Sequence, residues 1–153
     1  MRVSQHMIEE RVRTALERHA ISRPDDTAWA CAWLQACGYP GVQLLREAVG
    51  DARHSLRLSR DALGLDLDHV SCAFIAAAVT TEVVENGRAF LRNVRHGLFL
   101  VPFSVRANIG IGCPVDPAFA LGGVRSKNPY GEKLALAEQH GIDVADADWA
   151  ALA

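Results

Sequence analysis

Helical periodicity dominates the chain up to Asn86 and breaks off at Gly87, and that change of character points to an α+β fold rather than a plain helical bundle. Seven of the twelve glycines lie between Gly87 and Gly131. Ahead of the break, Ile8, Val12, Ala15, Leu16 and His19 recur at helical spacing, with Glu9, Glu10 and Arg13 on the other side, which predicts a helix over residues 4–19. Asp25 or Asp26 suits the start of a second helix, about 26–37, that is apolar on nearly every side and therefore central in a core. Gly38 ends it, and a short third helix follows over 42–49, so residues 7–49 read as a three-helix unit. Asp68 is positioned to cap an alanine-rich helix over 69–86. Residues 51–67 fit a strand or a helix equally.

Beyond Gly87, residues 88–93 read as a strand. Residues 98–105 are a buried strand or a short helix, and Pro102 argues against a central strand. Residues 110–127 read as loop. Asn128 and Pro129 make a cap and first position for a helix that Gly141 ends at His140. A last helical turn surrounds Trp149. The expected fold is a helix-rich α+β single domain, 1–153, with an N-terminal three-helix unit, a small strand element near residues 88–105, and C-terminal helices.

The chain has 153 residues, enough for one domain that buries roughly 70% of its extended surface without covalent staples. Its four cysteines, Cys31, Cys37, Cys72 and Cys113, therefore read as reduced thiols in a cytoplasmic protein, in keeping with a polar N-terminus that lacks a secretory h-region. The longest apolar stretch, 70–79, falls short of the about 18 residues of a spanning helix, so no membrane partner is expected. A net charge of −2 gives no general attraction to nucleic acid.

Charge is nevertheless distributed in blocks. Residues 61–86 hold five acids and no Lys or Arg, residues 87–127 hold six Lys or Arg against Asp116, and residues 128–153 hold five acids and Lys133. A basic, glycine-rich segment suits a small anion, because glycine lets backbone N–H groups approach and arginine supplies paired donors. The alternative is that the acidic helices neutralise the basic segment, within the chain or across a homo-oligomer.

The candidate site gathers from this segment. Arg95, Arg106, Asn108, Arg125 and Lys127 are the candidate ligand-binding residues. Cys113, flanked by Gly112 and Pro114 amid positive charge, is a candidate nucleophile or proton donor, with His96 as base and Asp116 as an orienting carboxylate. The Gly-x-Gly at 110–112 is no dinucleotide fingerprint, since Val115 stands where the third glycine belongs. His69-x-x-Cys72 with His96 and Cys113 has irregular spacing for zinc, so no metal and no cofactor are expected. Arg88, Arg92 and Arg95 have only Phe90 as an interleaved aromatic, too few for nucleic-acid stacking. The tryptophans Trp29, Trp33 and Trp149 read as core anchors, and Cys31 and Cys37 as packing residues.

Residues 28–45, AWACAWLQACGYPGVQLL, and the later GLFLVPF at 97–103 resemble a bacterial family of unknown function, in which a helix ending in Trp-Leu precedes a glycine turn and a short leucine helix. The N-terminal helices are also distantly similar to those opening the malate/L-lactate dehydrogenase family, which uses a nicotinamide cofactor. That family's His-Gly motif after the second helix is replaced here by Gly38-Tyr-Pro-Gly41, and the chain is less than half the length of such an enzyme, so the activity does not carry over. The resemblance implies a bacterial, cytoplasmic protein. Two functional expectations follow: a site that binds or transforms a small anionic carboxylate or phosphate, or a non-catalytic homo-oligomeric assembly protein.

Overall fold

Ser4 sets where the first helix begins: its backbone is extended and its hydroxyl accepts the Met7 amide hydrogen at 3.1 Å, satisfying one of the N–H groups a helix start leaves unpaired. The computed structural model describes residues 1–112 and 120–153. The elements run β1 (Arg2–Val3), α1 (Gln5–Arg18), α2 (Pro24–Ala36), α3 (Gly41–Val49), β2 (Arg60–Asp61), β3 (Gly64–Asp66), α4 (Cys72–Asn86) and β4 (Ala89–Arg92). A 3-10 turn (Gly97–Phe99) then leads into α5 (Leu100–Arg106), β5 (Ile109–Ile111), β6 (Ala120–Val124), α6 (Gly131–His140), β7 (Ile142–Asp143) and α7 (Asp146–Ala151). The fold is α+β and helix-rich. Among the described residues no helix is long and apolar enough to cross a membrane.

Two compact units share the chain, one formed by Met1–Asp51 with Pro129–Ala153, the other by Ala52–Asn128. In the first, α2 is the centre: Thr27, Ala28 and Ala30 through Leu34 are all buried. α1 lays Ile8, Val12, Ala15 and Leu16 onto the core, and α3 adds Val42 and Leu45. The C-terminal segment completes this unit. β7 pairs antiparallel with β1, Val3 opposite Ile142, and Tyr130 sets its ring 4.8 Å from that of Trp33. The three-helix reading of residues 7–49 is thus correct, with an added wall from residues 129–153.

The second unit carries a five-stranded mixed sheet in the order β2-β3-β4-β6-β5. β3 and β4 are parallel, Leu65 opposite Leu91, and α4 is their crossover, since parallel neighbours need a long connection. Leu65, Ala89, Leu91 and Leu121 are buried, as are Ala73, Ile75, Ala76, Val79 and Val83 of α4.

Several boundaries differ from expectation. Asp25 and Asp26 occupy the first turn of α2 while Arg23 is its cap, because Pro24, with no N–H and a fixed φ, takes the first helical position. Ser71, not Asp68, caps α4. α6 starts at Gly131 after Tyr130, two residues beyond Pro129. Residues 98–105 are helical, with Pro102 near the start of α5, where a missing N–H is tolerated. The expected loop over 110–127 contains strand residues at both described ends, in β5 and β6. Its glycines serve close strand approach: a Cβ on Gly110 would lie 3.1 Å from the Gly122 carbonyl oxygen.

Residues 51–67 end in a hairpin of β2 and β3, whose turn is held by Asp61 accepting the Leu63 N–H at 2.8 Å. Gly64 follows with φ +113, and a Cβ there would sit 2.1 Å from the Phe90 carbonyl oxygen of β4. Gly38 has φ +87 and open space around it. Gly38→Ala is therefore expected to cost about 1–2 kcal/mol of backbone strain, and Gly64→Ala distinctly more, because it adds a backbone clash inside the parallel pair. Denaturant unfolding of the two variants checks this; equal losses would show that β3 shifts away from β4 without penalty.

Candidate functional site

The carboxyl ends of β3 and β4 lie side by side, and the backbone stays laced after the strands stop. Leu67 N–H donates to Arg92 O at 2.9 Å, His69 N–H to Asn93 O at 3.0 Å, and Cys72 N–H to Arg95 O at 2.9 Å. The two loops, 67–71 and 93–96, are thereby clamped together at the start of α4. Asp68, His69, Asn93 and His96 all have left-handed backbones, with φ between +50 and +59. Such non-glycine conformations persist only where surrounding bonds impose them, and they cluster at functional sites.

At the centre is a buried pair. His96 is 6% exposed and Ser71 0%, with His96 Nδ1 2.7 Å from Ser71 Oγ. Ser71 Oγ also accepts the Ala73 N–H at 3.2 Å as the cap of α4. Around the pair, Asp66 accepts the Asn93 side-chain amide at 2.8 Å and the Asp68 N–H at 2.9 Å. These bonds, the Asn93 one foremost, hold its carboxyl below the usual carboxylate range. Arg53 grips Asp68 twice, on its carboxylate and on its carbonyl, each at 2.6 Å.

Of the residues singled out in the sequence, His96 is in this pair, and Arg95 is next to it, its side chain exposed and its carbonyl bonded to Cys72. Arg106 lies exposed at the end of α5, its guanidinium 5.1 Å above the Phe103 ring. Asn108 is exposed with φ +57, and Lys127 is exposed. Arg125 has a structural placement: Nε donates to Ile109 O at 2.9 Å, Nη1 to Lys127 O at 3.1 Å and Nη2 to the buried Ser104 hydroxyl at 2.7 Å. Its donors tie α5, β5 and the chain after β6 together. Cys113 and Asp116 lie outside the described residues.

Ser71, Asn93 and Arg53 were not singled out in the sequence, where Asp66 was read only as part of an acidic block and Asp68 as a helix cap. Of the His69, Cys72, His96 and Cys113 set that the sequence weighed for zinc, Cys113 lies outside the described residues. Cys72 is buried in α4, and among the described residues no group of three or more His, Cys, Asp or Glu could hold a metal ion. Cys31 and Cys37 are buried thiols, as expected. Burial pushes Cys31 up strongly and Cys37 up to about 11, against a smaller opposing pull from Lys133, so neither is a ready thiolate.

Charge pairing is local. Arg60 forks onto Glu82, both contacts at 3.0 Å, and also donates to the carbonyls of Gly87 and Arg88. Arg92 donates to Asp61 at 2.8 Å. The Leu63 N–H, with help from Arg92, holds the Asp61 carboxyl below its usual range. For Asp61 and Asp66 the folded-state value lies below the unfolded one. Their stabilisation is therefore present above about pH 4 and lost as pH falls through the lower folded values. Melting temperature is expected to fall on acidification below about pH 4, less steeply in Asp66→Asn than in the native chain. Parallel pH profiles for the two proteins would exclude Asp66 as a contributor.

Comparison with protein families, with characterised proteins and with solved structures finds no match to this chain.

Proposed function

We propose that the chain binds, and acts on, a small anionic carboxylate or phosphate compound at the carboxyl ends of β3 and β4. The observation that carries this reading is the buried Ser71–His96 pair, seated where two parallel strands end and their crossover helix begins. In open sheets with parallel strands, ligands bind outside the carboxyl ends, at points where the topology changes. β4 is parallel to β3 on one side and antiparallel to β6 on the other.

His96 handles a proton or a developing charge in this reading. The basic segment 87–127 supplies the anion's counter-charges from Arg95, Arg106 and Lys127, with Asn108 as a polar contact. Cys113 and Asp116 keep the roles their sequence context gives them, a nucleophile or proton donor and an orienting carboxylate. Arg125 is assigned to the fold, since its guanidinium is taken up by three internal acceptors. A bacterial cytoplasm is the proposed setting, supported by the free thiols Cys31, Cys37 and Cys72 and by the family resemblance of residues 28–45.

Thermal melting against a panel of small carboxylates and phosphates tests the reading. A ligand at 100 times its dissociation constant stabilises the native state by about 2.7 kcal/mol. The expected result is a stabilising anion whose effect is lost in Arg106→Ala. Arg125→Ala is expected to lower the ligand-free melting temperature. A panel that is flat across all anions overturns the proposal.

A second reading, homo-oligomeric assembly, draws on Phe90 of β4 and Val124 of β6, which are 63% and 92% exposed. It also draws on the opposite charge of segments 87–127 and 128–153. Sedimentation at low and high salt separates the forms of this reading. A dimer that loosens in salt is held by charge pairs, which salt screens, and one that does not is held by the apolar side chains. A monomer at all concentrations removes it.

A further inference from the structure

The first unit carries a cleft of its own, of about 810 Å³, within the size range of small-molecule sites. One wall is a face of α6: Lys133, Leu136, Ala137 and His140 recur at helical spacing and all line it. The other is the turn between α2 and α3, residues 37–40, where the Tyr39 N–H donates to Leu34 O at 2.9 Å. Gln35 braces that turn. Its Nε2 donates to Asp143 O of β7 at 3.0 Å, and its Oε1 accepts the Val42 N–H of α3 at 3.2 Å.

The charges lining this cleft are paired with one exception. Arg2 places Nη2 on the Asp143 carboxylate at 3.1 Å and Nη1 on the His140 carbonyl. Asp148 is held by Arg46. Lys133 has no carboxylate within ion-pair distance among the described residues; its ammonium lies 5.9 Å from the centre of the Tyr39 ring, on the opposite wall. Its charge also reaches Cys37, where it opposes the burial that pushes that thiol up. The ammonium therefore leans across the cleft rather than away from it. Leu136, three residues further along the same helix face, is 57% exposed.

We propose that this cleft binds a small organic monocarboxylate, whose carboxylate meets Lys133 and whose apolar body lies on Leu136 against the Tyr39–Pro40 turn. The lining selects that class. A single unanswered ammonium matches a single negative charge. A dianion such as a phosphate monoester would set its second charge against Asp143 and Asp148, and like charges repel. An uncharged molecule of the same shape would leave Lys133 unanswered. Burial of the apolar body supplies affinity that an exposed charge pair alone does not. The cleft belongs to the first unit and the β3–β4 loops to the second, so this site stands independently of the function proposed above.

Titration of the 15N-labelled full chain with benzoate, followed in 1H–15N spectra, tests this at about pH 7.5, where a phosphate monoester is dianionic. Saturable shifts are expected at the amides of residues 37–39 and 133–141, with benzyl alcohol and phenyl phosphate binding more weakly than benzoate. Lys133→Gln, at an exposed helix position, is expected to weaken benzoate by about fivefold. Leu136→Asn is expected to weaken benzoate and benzyl alcohol alike. Absence of saturable shifts at these amides, unchanged benzoate affinity in Lys133→Gln, or phenyl phosphate binding as tightly as benzoate each overturns the proposal. Melting temperatures tell the two sites apart. Stabilisation by benzoate that survives Arg106→Ala and is lost in Lys133→Gln belongs to this cleft. The reverse pattern places benzoate at the β3–β4 loops and overturns the cleft proposal alone.

Discussion

The candidate site depends on three backbone hydrogen bonds, from Leu67, His69 and Cys72 to Arg92, Asn93 and Arg95. Each continues the parallel pairing of β3 and β4 beyond the strands themselves, into segments that would otherwise be loops. Without them, four left-handed non-glycine residues would relax to commoner conformations. With them, the loops become an extension of the sheet edge, and His96 is delivered to Ser71 from a different part of the chain. Side-chain bonds reinforce the same junction: Asn93 to Asp66, and Arg53 to Asp68.

The other unit is organised by burial instead. α2 is apolar on all sides because it is covered on all sides, by α1, by α3 and by the returning C-terminal segment. Gly41 shows how tight this is: a Cβ there would stand 2.6 Å from the Cys31 carbonyl oxygen, so α3 begins with its backbone directly against α2. Aromatic contact completes the seal where Tyr130 meets Trp33 and Tyr39. α6 buries only Ala137 and holds its place through what precedes and follows it.

Helices were legible in the sequence where one face or all faces are apolar, because periodicity reports burial directly. α1, α2 and α3 fall within a residue or two of expectation for that reason. Strands were poorly legible, for two physical reasons. β2, β3, β5 and β7 are two or three residues long, too short for alternation to emerge. β5 and β6 contain glycines, which read as loop although here they permit close strand approach. Pro102 correctly argued against a strand. The site was half legible: His96 stood out as a titratable group in a basic segment. Its partner Ser71 did not, because a serine before a helix is indistinguishable from an ordinary cap, and only the parallel pairing brings position 71 to position 96.

The charge blocks illustrate why composition over a window is a poor guide to a binding site. Residues 87–127 carry six Lys or Arg. Arg92 reaches across β3 to Asp61 of β2, and Arg125 spends its donors on two carbonyls and a buried hydroxyl. The acids at 68 and 82 are answered by Arg53 and Arg60, which lie outside the basic block altogether. Pairing is therefore decided by sheet register and helix ends, over a few ångströms: Arg92 of the basic block meets Asp61 of the acidic one, while Asp68 and Glu82 are met by arginines outside the basic block. Arg95, Arg106 and Lys127 are exposed at the surface. Exposed cations alone bind anions weakly and with little selectivity, since water screens them. What makes an anion site selective is a donor held out of water, where a charge is little screened.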